Sequence, residues 1–327
     1  MKPATRLDER CVIELVPTAP LNFDATMHKP DHFPSADNEW QQGVRWQTMR
    51  WQGRSLGLKF ENRGTVDHPR VSLLIWAEEP LDQAYLDGLV DEIHYRYDLD
   101  LDLGAFNERF QNDPHLGPLI AKWRGMRPLN PNSLYEYLMI AIVLQNATVR
   151  RSVSMMQAML QAYGTPLTYD GKVLYCSWPP EAVHRATEKE LRDLKVGYRA
   201  RSIQRVSAAF ASGEIDELDV RRRSREEQRA ALLGLYGIGP ASAGYILTDV
   251  FHHLDEFEHI SPWERKIYSR LFFDADSEDP VPVEELLALF DERYAGFRAL
   301  AVHYFWEDLF WRRKHEPVEW LENLIRL

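Results

Sequence analysis

The hydrophobic period of this chain changes once, near Leu81, and that change limits the folds open to it. Before it, apolar residues come in short β-branched or aromatic runs: Val12 to Val16, Arg45 to Trp51, Ser55 to Phe60 and Val71 to Trp76, bounded by Gly, Pro, Asn and Asp. Runs of this kind predict an antiparallel sheet. Beyond Leu81, Tyr85, Leu86, Leu89, Ile93 and Tyr97 share one helical stripe. The segment from Phe23 to Trp40, with Pro30 and Pro34, reads as an irregular connection between strands. The expected class is α+β: an N-terminal antiparallel β-rich domain over residues 1–110, with a leading helix of the helical part near its end, then a mainly α-helical domain over residues 111–327.

Three capping boxes punctuate the helical part: Ser133 with Glu136, Thr187 with Glu190, and Ser224 with Glu227. The first opens a helix through Leu144 that is apolar around its whole circumference, so it belongs in the core. It ends abruptly at Gln145 and Asn146, and a second helix is expected from Val149 to Tyr163. Further on, residues 232–247 read as two helices joined through Gly237 and Gly239. Those glycines free the backbone for a positive-φ turn and for close approach to a ligand. The amides that follow begin a second helix, whose free N–H groups and dipole favour a phosphate. A Gly-terminated helix followed by a Pro-started one accounts for the same residues without any ligand.

Charge narrows the choice of partner. The net charge of −11 argues against nonspecific coating of nucleic acid, so any contact with phosphates must be local. Candidate basic surfaces are Arg150 with Arg151; Arg199, Arg201 and Arg205; Arg221 to Arg223; and Arg265 with Lys266. The third, beside Glu226 and Glu227, reads as a solvated face, and the second and fourth stand nearest the other signals. Cys11 and Cys176 give no zinc spacing and no iron-sulfur loop, which fits a reduced protein. No signal peptide or membrane span is expected, so the cytoplasm is the default location.

Four blocks, in order, then carry a specific resemblance. They are residues 113–128; the helix from Leu134 ending in Leu144, Gln145 and Asn146; the Gly197-Tyr198-Arg199-Ala200 turn; and the glycine hairpin. The helix that contains Tyr294 to Ala299 also fits. Together they resemble the helix-hairpin-helix DNA glycosylase superfamily, above all its 3-methyladenine DNA glycosylase II branch, with features of the 8-oxoguanine glycosylases. The likeness extends over residues 110–312.

The resemblance implies a set of roles. The carbonyls of Leu233, Leu235 and Ile238 would hold a structural Na⁺ or K⁺ at the hairpin, with no other cofactor. Amides from Gly237 through Gly239 to Ala241 would face a phosphate of double-stranded DNA, and Arg199 and Arg201 would add charge. Gln145 and Asn146 match the loop that enters the base stack where a damaged nucleotide flips out, a step glycosidic chemistry requires; a helix C-cap explains Asn146 equally well. Tyr245, Trp263 and Phe297 would line the base pocket, although aromatics at helical spacing are also ordinary core. Ala241 stands where bifunctional members carry a Schiff-base lysine, so no lyase activity is expected.

The main departure is Ser261, at the place of the family's catalytic aspartate. A carboxylate ~4 Å from an oxocarbenium-like sugar, at an effective dielectric near ~20, contributes about 4 kcal/mol, or roughly a thousandfold in rate. Serine cannot supply that. Ser261 and Glu264 also form a capping box with Pro262 at the first helical position, which explains both without chemistry. Glu264, one turn on, is the candidate substitute acid. The neighbouring stretch with His252, His253, Asp255, Glu256 and Glu258 lacks metal-ligand spacing and reads as a solvated loop. The expected function is monomeric, monofunctional excision of alkylated bases; the alternative is a catalytically silent module that binds damaged DNA.

Overall fold

The computed structural model describes residues 3–28, 35–316, 318–322 and 324. Its strands are β1 (Thr5–Arg6), β2 (Glu9–Leu15), β3 (Asn38–Gln41), β4 (Val44–Trp51), β5 (Arg54–Asn62), β6 (Val71–Ala77), β7 (Thr165–Tyr169) and β8 (Lys172–Cys176). The helices that follow the sheet in sequence begin with α2 (Gln83–Arg96), after a single-turn α1 (Phe23–Met27). Then come α3 (Gly104–Phe110), α4 (Leu116–Lys122), α5 (Leu134–Leu144), α6 (Val149–Tyr163), α7 (Pro180–His184) and α8 (Glu188–Asp193). After a 3₁₀ turn over Gly197–Arg199, α9 (Ala200–Ala211), α10 (Glu217–Arg221), α11 (Arg225–Gly234) and α12 (Pro240–Asp249) lead to α13 (Pro262–Phe273), α14 (Val283–Tyr294), α15 (Arg298–His315) and α16 (Glu319–Glu322). Among the described residues no helix is long and apolar enough to cross a membrane.

The five-stranded sheet runs β2-β6-β5-β4-β3, antiparallel throughout. Strand β6, between β2 and β5, is buried along its full length. Leu73 and Ile75 join Leu89 and Ile93 of α2, and Tyr97 at its C-terminal end, on one face, while Leu74 and Trp76 pack on the other against Tyr169, Leu174 and Cys176. Burial on both faces is why β6 reads as one continuous apolar run rather than an alternating one.

That second face corrects the sequence reading, which left residues 165–176 unassigned within the helical part. They form a β-hairpin whose Asp170 and Gly171 both take positive φ, 47° and 74°, the geometry of a tight type I′ connection. The hairpin is fastened to the sheet by Tyr169 Oη donating to Gln47 O (3.0 Å) and Thr48 Oγ1 donating to Tyr175 O (2.8 Å). Gly57 is required beneath it, since a Cβ there would lie 2.5 Å from the Tyr169 ring. The segment expected to be an irregular connection likewise holds α1 and β3. Pro30 and Pro34 lie outside the described residues.

Two further cores organise the helices. α5 is central to one, with Leu138, Met139, Ile142 and Val143 packed among Ile203, Val206, Leu232, Ile246 and Leu247. The other gathers Phe106 and Phe110 with Tyr268, Phe290, Tyr294 and Tyr304. In the basic run that begins at Arg221, Arg222 and Arg223 are exposed as expected of a solvated face, but Arg221 is not. Arg221 bonds to both oxygens of the buried Glu92 at 2.7 and 2.8 Å, and its guanidinium stacks 4.0 Å over Tyr95, tying α10 to α2. Glu92 also receives Arg96 at 2.6 Å, and these cations hold its carboxyl below the usual range against the opposing effect of burial.

Candidate nucleic-acid interface and base pocket

The hairpin is set by its caps. Ser224 N donates to Glu227 Oε2 at 2.9 Å to start α11, and Leu232 buries the inner face. After Gly234 the chain reverses through two tight bonds, Leu235 N to Leu232 O and Ile238 N to Leu235 O, each 3.1 Å. Gly237 has φ of +87°, and a Cβ on it would lie 2.3 Å from Ser202 Oγ on α9. Gly239 was expected to need positive φ as well, but it has φ −100° and ψ 176°, an ordinary extended conformation. Nothing lies within 4 Å of where its Cβ would be. Pro240 opens α12, and no side chain caps its N-terminus. The first-turn amides, including that of Ala241, thus lack the side-chain partner that most helix starts carry.

The loop after α5 meets this turn. Gln145 Nε2 donates to Gly237 O at 2.7 Å. Asn146 takes φ of +49°, ending the helix in the left-handed conformation, and its Nδ2 donates to Tyr198 Oη at 3.2 Å. Tyr198 is 58% exposed. Arg199, expected to face DNA, is only 2% exposed. Its guanidinium donates to the carbonyl of Gln145 and, at 3.4 Å, to that of Val196, so it braces the loop from beneath.

Charge at the surface is supplied elsewhere. Arg201 and Arg205 are exposed and flank the Tyr236 ring, at 5.5 and 4.2 Å from its centroid. Arg150 and Arg151 are exposed in the first turn of α6, where the helix dipole disfavours cations. None of these four forms an ion pair with a described residue. By contrast Arg265 donates to the carbonyls of Val281 and Pro280, and Lys266 lies 3.6 Å from Glu278, so that pair is committed within the fold.

Tyr245, on the helix that leaves the turn, meets a buried carboxyl. Glu264 is 5% exposed. Its Oε2 accepts Ser261 N at 2.9 Å and Ser261 Oγ at 2.5 Å, and Tyr245 Oη stands 3.4 Å from both oxygens. Burial raises its pKa, and the bonds from Ser261 and Tyr245 offset this only in part. Tyr245 and Trp263 are 48% and 42% exposed, and Trp263 packs 4.9 Å from Trp306. Phe297 does not join them. It packs on Phe106 and Phe110, at 5.6 and 6.1 Å, inside the aromatic core, so the core reading holds for it.

Sequence reasoning missed Asp249, Tyr137 and His303. Asp249 stands one turn beyond Tyr245 on α12 and accepts a hydrogen bond from the Tyr137 hydroxyl of α5. Both line a cavity of about 740 Å³ that also touches Trp40, Ile140, His303 and Glu307. The i, i+4 spacing of Tyr245 and Asp249 was the available signal. The His-rich and acid-rich stretch is not a solvated loop. Asp255 pairs with Arg298 at 2.9 Å, Glu256 and Glu258 clamp Arg225 and Arg229, and His252 bonds Asp98. Among the described residues no cluster could hold a metal ion through side chains.

No family model matches the chain. Over 169 residues, 51% of the chain, it is 28% identical to the DNA-3-methyladenine glycosylase of Bacillus subtilis (strain 168), and the match spans 56% of that relative's length. The 3-methyladenine DNA-glycosylase of Archaeoglobus fulgidus superposes with a TM-score of 0.75 at 16% identity, covering 94% of this chain and 100% of the other. The 8-oxoguanine glycosylase/lyase of Clostridium acetobutylicum, in complex with dsDNA containing cytosine opposite 8-oxoG, gives 0.68 at 17%, covering 94% and 99%. At these identities the structures share the fold.

Proposed function

Starting from a chain with the fold of the helix-hairpin-helix DNA glycosylases, we propose a monomeric, monofunctional DNA glycosylase that excises alkylated bases. The observation that carries this reading is the direct bond between Gln145 and Gly237. It joins the loop suited to enter a base stack to the turn suited to hold a phosphate, and the helix that leaves this turn carries Tyr245, which meets Glu264. The uncapped start of α12 offers amides and a positive dipole end to that phosphate. A Na⁺ or K⁺ on the carbonyls of Leu233, Leu235 and Ile238 would add to it; Leu235 O already accepts Ile238 N–H, and its second lone pair suits such an ion. Arg150, Arg151, Arg201 and Arg205 carry the local positive charge that a protein of net −11 needs to hold DNA.

In the proposed reaction the C1′–N bond of a flipped alkylated purine breaks and its electron pair goes to the base. A water then adds to C1′ and loses its proton. An alkylated base is already cationic and leaves as a neutral molecule, so it needs less help than a neutral lesion. Glu264, ionised, supplies the negative charge near the sugar that Ser261 cannot, and Ser261 positions it through two hydrogen bonds. Ala241 provides no amine for a Schiff base, so the product is an intact abasic strand.

The test uses duplexes with one defined lesion, incubated with the protein and then heated in alkali. Alkali-dependent breaks at 7-methylguanine or 3-methyladenine, with none before alkali, are the expected result, reduced about a hundred- to thousandfold in Glu264→Gln. The tie of Ser261 to Glu264 as an ordinary helix cap favours the alternative of a silent damage-binding module. Tight lesion binding without breaks in the wild type, together with breaks gained in Ser261→Asp, establishes that alternative.

A further inference from the structure

We propose that Tyr236 is a positioning residue that gathers Arg201 and Arg205 into a second phosphate site for duplex DNA beside the glycine turn, an inference that rests on the reading of that turn as a phosphate holder. Arg201 and Arg205 stand four residues apart on α9, and both are exposed. Like charges at that spacing repel, and neither arginine pairs with a described carboxylate, so the helix alone leaves these long side chains free to splay. The Tyr236 ring opposes this. The Arg205 guanidinium lies 4.2 Å from the ring centroid and that of Arg201 5.5 Å, so one electron-rich ring draws both cations to one place. Tyr236 directly precedes Gly237, whose backbone packs against Ser202 on the same α9. The gathered pair therefore stands next to the turn.

This contact holds the arginines without using their donors. A ring attracts the guanidinium charge but need not accept an N–H, and neither arginine donates a hydrogen bond to a described residue. Arg221 shows the other arrangement: its guanidinium lies 4.0 Å over the Tyr95 ring, while its terminal nitrogens are taken up by Glu92 and Glu217. That arginine is structural. At Tyr236 two planar forks of free donors stand side by side, a pattern that suits the oxygens of a phosphodiester. A phosphate meeting two unrestrained arginines has to order both side chains on binding, whereas the ring does part of that ordering beforehand. Removing the ring should therefore weaken DNA binding although no charge is lost.

The experiment measures affinity for a lesion-free duplex by fluorescence anisotropy in the full chain. Wild type, Tyr236→Trp, Tyr236→Phe and Tyr236→Leu are compared, together with the Arg201→Ala, Arg205→Ala double variant with and without Tyr236→Leu. The expected loss in Tyr236→Leu is about five- to thirtyfold. Tyr236→Phe and Tyr236→Trp, which keep a ring face for the cations, stay within about threefold of the wild type. In the double-alanine background Tyr236→Leu costs nothing further, because the side chains it orders are gone. A fold defect would persist in that background, so the cycle separates positioning from damage to the structure. Wild-type affinity in Tyr236→Leu, an equal loss in Tyr236→Phe and Tyr236→Leu, or an undiminished loss in the double-alanine background overturns the inference. Excision is scored separately on a 7-methylguanine duplex. Ring-dependent binding without excision overturns the glycosylase reading and leaves this one standing, while excision with ring-independent binding does the reverse.

Discussion

Glu264 is buried at the first turn of α13, and its raised pKa has consequences for folding as well as chemistry. The folded state holds the Glu264 proton more tightly than the unfolded chain does. Below the usual glutamate range both states are protonated and nothing is lost. As pH rises through and above that range, the folded state must carry a buried anion and stability falls. Glu264→Gln keeps the cap, since glutamine also serves at this position of a capping box. Its melting temperature is expected to equal or exceed that of the wild type at pH 7.5, with the difference vanishing towards pH 4, in thermal unfolding followed by circular dichroism. Excision should run the other way, failing on the acid side at a pH above the usual glutamate value. A variant that melts well below wild type at pH 7.5 would show that Glu264 is mainly structural. The same residue shows what the sequence could and could not convey. The cap was legible from Ser261, Pro262 and Glu264, whereas the contact with Tyr245 reaches the carboxyl from another helix, α12. Arg199 fails in the same way, because sequence carries its charge but not its direction, and the 3₁₀ turn aims it inward at Gln145.

At the scale of elements, the sequence conveys signals whose bonds are local and conceals pairings that are long-range. Capping boxes at Ser133, Thr187 and Ser224 do start α5, α8 and α11, because the bonds that make them lie within four residues. The hairpin of β7 and β8 carried its own Asp-Gly signal, but the surrounding helical period masked it, and its role against Trp46 and Trp76 is set by residues far apart in the chain. The glycine turn combines both kinds of information. Its φ is local, while the contact with Ser202 couples it to the helix that follows the Tyr198–Arg199 turn. Gly237→Ala therefore meets two penalties: a positive φ that an L-residue disfavours by about 1 to 2 kcal/mol, and a clash with the Ser202 side chain. The expected destabilisation is about 2 to 4 kcal/mol in urea unfolding, of which Ser202→Gly in the same chain should restore only the packing part. Gly239→Ala, at ordinary φ with open space around it, should unfold like the wild type and lose affinity only for DNA. Equal instability of the two alanine variants would mean that the turn is not held as described.

The whole molecule carries a net charge of −11, yet its proposed partner is a polyanion. The two are compatible only if most cations are consumed inside the fold and the remainder are gathered in one place. Arg221, Arg225, Arg229, Arg265 and Arg298 are held by carboxylates or carbonyls. Arg150, Arg151, Arg201 and Arg205 are exposed and without an ion pair to a described residue; Arg201 and Arg205 share α9 with Ser202, which meets the glycine turn, and Arg150 and Arg151 open α6, just after the loop that holds Gln145. A site of this kind releases few counterions. A plot of log affinity against log salt for duplex DNA should have a slope of about −3 to −4, near −0.9 for each phosphate neutralised. Each single arginine-to-alanine change among the four should reduce the slope by about 1, whatever the sequence or lesion in the duplex. Arg199→Ala should leave the slope in place while lowering the melting temperature, since its guanidinium braces a loop rather than meeting a phosphate. Fluorescence anisotropy from 50 to 300 mM salt measures all six proteins on one scale. A slope unmoved by the four exposed arginines, or steepened well beyond −4, would place the interface elsewhere on the molecule.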